Sequence, residues 1–168
     1  MKSKITLLFG LMLGLFTSFS SLAQTDWQLV WNEEFDYTGL PDANKWGDDV
    51  GCATNNNEKQ AYTKERLENA RVEDGNLIIE ARKEVFGTCG YTSARLVSKG
   101  KGDWLYGKME VRAQIPTGRG TWPAIWMLSS DNTFGGWPKS GEIDIMENVG
   151  FQPNKIYGTI HTDAFNHV

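Results

Sequence analysis

Apolar and polar residues alternate most regularly along residues 104–116. One face holds Leu105, Met109, Val111, Ala113 and Ile115, and the other holds Tyr106, Lys108, Glu110, Arg112 and Gln114. A period of two sustained over this length is typical of an antiparallel strand with one buried face. We therefore predict a strand at this position.

Shorter apolar segments separated by Gly and Pro indicate further strands. These are predicted at residues 27–35, 71–72, 76–82, 94–98, 121–128, 142–149 and 155–162. Asp74 and Gly75 predict a tight hairpin turn between the second and third of them. Helix signals are nearly absent, apart from a short turn at residues 64–68. Many short strands divided in this way predict an all-β sandwich or barrel.

The segment 141–148 combines three carboxylates with β-branched residues. Acids beside Ile side chains are typical of a half-buried strand. Because side chains alternate on a strand, Glu142 and Asp144 should share one face while Ile143 and Ile145 face a core. Strict alternation would direct Glu147 into that core, where an unpaired charge is costly.

One extra residue in this strand resolves the conflict at Glu147. A β-bulge in which Ile145 and Met146 share the core side returns Glu147 to the face of the other two acids, and bulges are common beside active sites. We therefore predict a row of three carboxylates.

Such a row suits the hydrolysis of a glycosidic bond. Retaining glycosidases use two carboxyl groups about 5–5.5 Å apart. The α-carbons of Glu142 and Glu147 should be roughly 13 Å apart, so the two long side chains must lean toward each other. Asp144 can hydrogen-bond a neighbouring Glu, and its charge should help keep the second Glu protonated as a general acid. The alternative is three acids on the wet face of an ordinary strand, where like charges repel.

Aromatic and amide side chains near the acids are candidates for sugar binding. Trp122 and Trp126 are four residues apart and share a strand face, and Trp137 precedes the acidic strand. Aromatic faces can stack on sugar rings, although core packing explains a single tryptophan equally well. Asn57 belongs to a polar run that offers amides to hydroxyl groups or simply forms a turn. His161 lies on the polar face of its predicted strand, where a lone histidine is usually structural.

The first 23 residues have the pattern of a secretory signal peptide. Lys2 and Lys4 precede a short apolar run, and a small-residue site ends at Ala23. The run is too short for a membrane span. We therefore expect a secreted or periplasmic protein that is free of the membrane after signal removal, with one mature domain at residues 24–168.

Charge and cysteine content narrow the functional classes. A formal net charge of −4 argues against nucleic acid or anionic membranes as partners. Cys52 and Cys89 are either a disulfide pair in an oxidising compartment or two free thiols. No metal-binding residues are predicted. The sequence also lacks a nucleophile elbow, a His-Glu-x-x-His zinc pair and a phosphate-binding loop.

The acidic segment resembles the signature of glycoside hydrolase family 16. Residues 141–147 read Gly-Glu-Ile-Asp-Ile-Met-Glu and match its Glu-x-Asp-x-x-Glu form. That form is typical of laminarinase-like endo-β-1,3-glucanases, whereas lichenases and xyloglucan transferases usually carry a version one residue shorter. The similarity extends to residues 31–35, 57–58, 62–63, 72–77, 93–96, 106–112 and 122–128.

The resemblance implies a β-jelly-roll sandwich, concanavalin A-like, with a sugar cleft across its concave sheet. It implies that Glu142 is the nucleophile, Asp144 the assisting aspartate and Glu147 the general acid/base. The substrate-binding residues that it implies are Asn57, Arg95, Trp122, Trp126, Trp137 and His161. No cofactor is required, and some relatives hold a structural calcium ion on the convex side.

Members of that family continue for several strands beyond the point that corresponds to Val168. Single-domain sandwiches commonly have about 200–250 residues. We therefore expect residues 24–168 to be the N-terminal part of a family 16-like catalytic domain, with a sandwich that is incomplete at the C-terminus.

The leading hypothesis is a secreted, retaining endo-glycosidase that hydrolyses β-1,3-glucan of the laminarin type through a glycosyl-enzyme intermediate. Its partner would be a polysaccharide substrate, and a monomer is expected. The alternatives are another family 16 specificity (mixed-linkage glucanase, agarase or carrageenase), a noncatalytic glucan-binding module or an inactive fragment. The presence of both glutamates argues against a binding module, because sugar binding alone does not need them.

Overall fold

The computed structural model describes residues 27–53 and 55–166. The chain divides into two units, Met1–Asn32 and Glu33–Val168. Residues 27–32 of the first unit form no strand, and the predicted signal peptide, residues 1–23, lies outside the described residues. No helix in the described ranges has the length and apolar character needed to cross a bilayer.

The second unit is built from short strands. In the described chain they are β1 (Gly47–Asp48), β2 (Gly51–Cys52), β3 (Gln60–Tyr62), β4 (Ala70–Glu73), β5 (Asn76–Ile79), β6 (Tyr91–Ser93), β7 (Leu96–Val97), β8 (Ala124–Leu128), β9 (Glu142–Glu147) and β10 (Tyr157–His161). They form the sheets β1-β7, β4-β5, β2-β3-β6 and β8-β9-β10. All pairs are antiparallel except β3 with β6. A parallel pair needs a long connection, and the β4-β5 hairpin lies within it.

The β4-β5 pair confirms the predicted hairpin. Its register runs from Ala70 opposite Ile79 to Glu73 opposite Asn76. The two loop residues, Asp74 and Gly75, have φ angles of 51° and 71°. A two-residue hairpin turn requires positive φ at both positions, and Asp and Gly tolerate it.

The deepest residues near this hairpin include polar side chains. Val72 is 1% exposed, and Asn69 and Thr92 are 0% exposed. The Asn69 amide nitrogen donates to the Glu80 carbonyl and to Thr92 Oγ1, each at 3.0 Å. Asn69 Oδ1 accepts a hydrogen bond from Thr63 at 2.9 Å. These bonds offset the cost of burying polar groups.

Ion pairs surround this polar core. The Arg66 guanidinium binds both carboxylate oxygens of Glu84, at 2.8 and 3.1 Å, and Thr92 donates to the same carboxylate. Arg82 lies 4.0 Å from Glu84 and 2.6 Å from Glu80. The hydrogen bonds from Arg66 and Thr92 lower the pKa of Glu84 to about 2.

Cys52 and Cys89 form a disulfide, so the free-thiol alternative does not hold in this structure. The bridge joins β2 to a loop in which Phe86 and Cys89 exchange backbone hydrogen bonds of 2.9 and 3.0 Å. Closing a loop of this length stabilises the fold by about 3–4 kcal/mol through the entropy of the unfolded chain.

The strongest alternation in the sequence does not produce a strand. Residues 104–116 are irregular, and Leu105 and Tyr106, predicted on opposite faces, are 85% and 88% exposed. An extended segment becomes a strand only when its backbone groups pair with a neighbour, and no described segment pairs with this one. The strand prediction for residues 104–116 is therefore wrong. Alternation shows which side chains share a face, but it does not show whether another strand pairs with the segment.

The other strand predictions have mixed outcomes. Residues 27–35 are also irregular, and residues 64–68 form turns without a helix. Strands β7, β8, β9 and β10 lie within their predicted ranges and are shorter than predicted. Strands β1, β2, β3 and β6 were not predicted, since two or three residues are too few for a period to be recognised.

Glu84 should make stability depend on pH in the acid range. The folded-state pKa of about 2 lies below the ordinary Glu value of about 4.3, so its contribution is fully present above the ordinary pKa and is lost as pH falls toward 2. Glu84→Gln should therefore lower Tm at pH 7, and its difference from the wild type should shrink between about pH 4.5 and 2.5. Circular dichroism melts at several pH values measure this difference.

The control is Glu65→Gln, at an exposed ion pair with Lys64. It should leave the pH dependence unchanged. A difference between the wild type and Glu84→Gln that stays constant over this pH range would contradict the assignment.

Candidate active site

Strand β9 carries the three acids at the centre of a three-stranded sheet. On β8, the residues opposite Glu142, Asp144 and Glu147 are Leu128, Trp126 and Ala124, respectively. On β10, the residues opposite the same three acids are His161, Thr159 and Tyr157, respectively. Directly opposite residues share a face of the sheet. Trp126 and His161 therefore lie on the same face as the acids.

The predicted bulge is confirmed. Between Glu147 and Asp144, β9 advances three residues while β8 advances only two, from Ala124 to Trp126. Strand β10 also advances by only two, from Tyr157 to Thr159. The extra residue in the Ile145–Met146 region keeps Glu147 on the face of the other acids.

The face of this sheet that lies opposite the acids is more exposed to solvent than the alternation of apolar residues in the sequence predicts. Ile143 was predicted to face a core but is 47% exposed, and Ile160 opposite it is 67% exposed. The described chain leaves these side chains largely uncovered. Alternation correctly predicted that Ile143 lies on the face opposite the acids. It could not predict whether other residues pack against that face.

Asp144 is closely surrounded by polar partners. Only 4% of its side chain is exposed, and its Oδ2 lies 3.2 Å from His161 Nε2. Burial raises the pKa of Glu142, and the charge of Asp144 and a hydrogen bond with it raise that pKa further. Trp137 and His161 act in the opposite direction. Asp144 therefore raises the pKa of Glu142, whereas the sequence prediction placed this effect on the general acid.

Each glutamate accepts a hydrogen bond from a tryptophan. Trp137 Nε1 donates to Glu142, and Trp122 Nε1 donates to Glu147 Oε1 at 2.9 Å. The indole N–H is only a donor, so the carboxyl oxygen is the acceptor in both bonds. Trp137 and Trp122 remain 42% and 48% exposed, which leaves ring surface for a ligand.

Trp126 connects the acid face to Arg95. The Arg95 guanidinium carbon lies 4.5 Å from the centre of the Trp126 ring, within cation–π range. Arg95 Nε lies 2.9 Å from Asp49 Oδ2. Arg95 and Asp49 also line a cavity of about 230 Å³.

Sequence reasoning missed other residues of this cavity, among them Glu58 and Tyr62. Tyr62 donates to Glu58 Oε2 at 3.0 Å, and Gln60 donates to the Tyr62 hydroxyl at 2.9 Å. Burial raises the pKa of Tyr62, so its phenol stays a donor. Residues 60 and 62 share one face of β3 and residue 58 precedes the strand at the same spacing of two, and this spacing was the signal that could have revealed them.

Asn57 occupies a different position from its neighbours. It is exposed, with a φ of 59°, in the turn before β3. Among the described residues, Asn55 and Glu58 line the cavity and Asn57 does not.

His161 is a close partner of the acids. Its side chain is 15% exposed, and its ring centre lies 5.9 Å from that of Trp137. The bond to Asp144 uses the nitrogen that points toward the acid row. In this structure His161 helps to fix Asp144 in place.

Backbone hydrogen bonds extend the β8-β9 ladder past the strand ends. The Asn148 amide donates to the Pro123 carbonyl at 3.2 Å, and the Gly150 amide donates to the Thr121 carbonyl at 2.8 Å. These bonds flank Trp122 on both sides along the chain. The position of its indole therefore depends on how closely the two segments approach each other.

Together these contacts place two glutamates on one face in different surroundings. The pKa of Glu142 is raised by burial and by the charge of buried Asp144, whereas Glu147 accepts a bond from a half-exposed indole. Carboxyl groups in different environments can divide the roles of nucleophile and proton donor.

The Gly150 backbone should tolerate no side chain. A Cβ at this position would lie 1.8 Å from the Gly118 carbonyl oxygen and 2.4 Å from Thr121 Oγ1. Gly150→Ala should therefore displace the loop before Trp122 and lower the free energy of unfolding by about 1–3 kcal/mol. Urea unfolding measures the loss, and the NMR resonance of the Trp122 indole N–H reports the displacement.

Gly90→Ala is the matched control, because a Cβ there meets nothing within 4 Å. It should leave the Trp122 resonance in place. An unshifted resonance in Gly150→Ala would show that Gly150 does not position the indole.

Comparison with known families identifies the group to which these features belong. The family model described as "Glycosyl hydrolases family 16" matches residues 56–167. The matched range contains the three acids and every predicted substrate-binding residue.

Two curated relatives cover most of the chain. The "Beta-glucanase" of Rhodothermus marinus is 59% identical over 145 residues, which are 84% of this chain and 51% of the relative. The "Glucan endo-1,3-beta-glucosidase" of Cryptopygus antarcticus is 44% identical over 156 residues, with coverages of 89% and 56%. The chain therefore spans about half the length of these relatives.

A solved structure shows the same fold. The laminarinase from Rhodothermus marinus matches with a TM-score of 0.83 at 58% identity, covering 84% of this chain and 58% of that chain. The likeness confirms the predicted all-β, jelly-roll class. Because the family model matches more than half of the sequence, this chain belongs to glycosyl hydrolase family 16.

Proposed function

We propose that the chain carries the catalytic face of a retaining endo-glycosidase that hydrolyses β-1,3-glucan. One observation carries this proposal. Glu142 and Glu147 share a face of β9, each accepts a hydrogen bond from a different tryptophan indole, and buried Asp144 lies between them in the strand. Hydrolysis with retention needs two carboxyl groups that act on one sugar.

In the first step, ionised Glu142 attacks the anomeric carbon and forms a covalent glycosyl ester. The glycosidic bond breaks as Glu147 gives its proton to the departing oxygen. The Trp137 hydrogen bond opposes the rise in the pKa of Glu142 and so favours the ionised form that attacks.

In the second step, Glu147 acts as a base. It removes a proton from water, the water oxygen bonds to the anomeric carbon, and the ester bond to Glu142 breaks. The Trp122 N–H donates to Glu147 Oε1 and orients this carboxyl group. Each glutamate thus returns to its starting protonation state.

Asp144 and His161 act through Glu142. The charge of Asp144 and its hydrogen bond raise the pKa of Glu142, while His161 fixes the orientation of Asp144. Asp144 therefore influences the ionisation of the nucleophile.

Two lines of support favour β-1,3-glucan as the substrate. The relatives described above carry the names laminarinase and glucan endo-1,3-beta-glucosidase. The exposed indoles of Trp122 and Trp137 also border the acids and offer faces for sugar rings. Mixed-linkage glucanase, agarase and carrageenase activities are the alternatives within the family, and reducing-end release from each polysaccharide separates them.

We also propose that the protein is exported and acts as a monomer. The signal-like residues 1–23 support export, and the Cys52–Cys89 disulfide fits an oxidising compartment.

The proposed steps use side chains and water only. Calcium prefers six or more oxygen ligands. Among the described residues, the group with metal-ligand spacing contains the His161 imidazole and so does not fit calcium.

Azide should distinguish the roles of the two glutamates. Glu142→Ala and Glu147→Ala should each slow hydrolysis by about a hundredfold or more. With an aryl glycoside substrate, azide should yield the inverted glycosyl azide from Glu142→Ala, because it enters the space of the nucleophile, and the retained product from Glu147→Ala. Product NMR identifies the anomers.

Glu110→Ala is the control, because Glu110 is exposed and its ion pair among the described residues is with nearby Lys108. It should hydrolyse laminarin at the parental rate. The same azide product from both glutamate variants would refute the assigned roles.

Asp144→Asn should move the acid limb of the pH profile. Asp144 raises the pKa of Glu142 through its charge and hydrogen bond. Removing the charge should lower that pKa, so the nucleophile stays ionised at lower pH and the acid limb of kcat/KM moves to lower pH. An acid limb that remains in place would show that Asp144 does not control the ionisation of Glu142.

A further inference from the structure

Three side chains on the acid face form a group with metal-ligand spacing. A carboxylate oxygen of Glu142, one of Asp144 and an imidazole nitrogen of His161 all lie within 4.8 Å of one another. Three protein ligands plus one water is a common arrangement for zinc in enzymes. We propose that Glu142, Asp144 and His161 bind a divalent transition-metal ion, represented by Zn²⁺, that blocks the site reversibly.

The observed spacing suits a shared ion. Two ligand atoms on one tetrahedral zinc, each about 2.0–2.1 Å from the metal, are about 3.4 Å apart. Asp144 Oδ2 and His161 Nε2 are 3.2 Å apart, so this pair needs almost no movement. Glu142 is the third donor, and rotation about its side-chain bonds can close the remaining distance.

The sheet holds these donors in place before any ion arrives. Glu142 and His161 are directly opposite each other on β9 and β10, and Asp144 lies two residues along the same face. Side chains on paired strands are more precisely positioned than side chains on loops. The Trp137 N–H also donates to Glu142 and orients its carboxylate from outside the triad.

The donor types select the class of ion. Two carboxylates and an imidazole suit zinc and related transition metals, whereas calcium and magnesium prefer oxygen alone. The ligands are also mostly shielded, with 4% of the Asp144 side chain and 15% of the His161 side chain exposed. A divalent ion would neutralise two carboxylates that otherwise repel each other in this setting. This proposal replaces the sequence-based prediction of no metal ligands.

Metal binding would prevent glycosidic chemistry. An ion on Glu142 occupies the oxygen lone pair that attacks the anomeric carbon, so hydrolysis stops until the ion leaves. The inhibition rests on the proposed function, whereas the binding of Zn²⁺ does not.

The test is calorimetric titration of the purified protein with ZnCl₂, without substrate. One ion should bind per chain, and His161→Ala and Glu142→Gln should each weaken the affinity by about tenfold or more. The matched control is Glu147→Gln, which removes a carboxyl group from the same face but leaves the triad intact, and it should bind as the wild type does. Glu142→Gln is nearly isosteric, so it keeps the test valid if His161→Ala folds poorly.

The site would be refuted by unchanged affinity in both triad variants, or by an equal loss in Glu147→Gln. A separate assay adds ZnCl₂ and then EDTA to laminarin hydrolysis, which should stop and then recover. Stoichiometric zinc binding by a protein that does not hydrolyse laminarin would refute the proposed function and leave the metal site standing. Laminarin hydrolysis by a protein that does not bind zinc would refute the metal site and leave the proposed function standing.

Discussion

A strand presents only every second side chain to a given face, and this constraint shapes the whole site. Glu142, Asp144 and Glu147 can share one face of β9 only because the strand contains an extra residue near Ile145. Both neighbouring strands adjust their register at the same point. Without the bulge, Glu147 would point to the other side of the sheet, away from the residues that contact the acids. The position of Glu147 beside the other two acids therefore follows from one backbone irregularity.

The charge of Asp144 is the second constraint, since a nearly buried carboxylate needs partners. His161 supplies one from β10, and Glu142 supplies the other through a hydrogen bond. The same closeness that ties the ionisation of Glu142 to Asp144 also produces the spacing of a metal site. A carboxylate pair supported by an imidazole is therefore open to competition between protons and divalent ions for the same lone pairs.

Features determined by neighbours in the chain were predictable from the sequence. The bulge followed from the cost of burying Glu147, and the β4-β5 hairpin followed from Asp74 and Gly75. Features that depend on distant partners were not predictable. Residues 104–116 alternate regularly yet form no strand, since no described segment pairs with them. Arg95 was identified by resemblance, but its bond to Asp49 joins segments that no local pattern connects.

The residues that contact the acids also lie near the acids in the sequence. Trp122, Trp137 and His161 all lie in the stretch that forms β8, β9 and β10, an antiparallel unit whose strands follow one another in the chain. Elsewhere, burial is modest and polar, with Asn69 and Thr92 among the most enclosed side chains. Specific hydrogen bonds and strand register, more than a large apolar core, therefore hold the described residues in place. A substitution that shifts register within this unit should disturb the site more than one that removes apolar volume elsewhere.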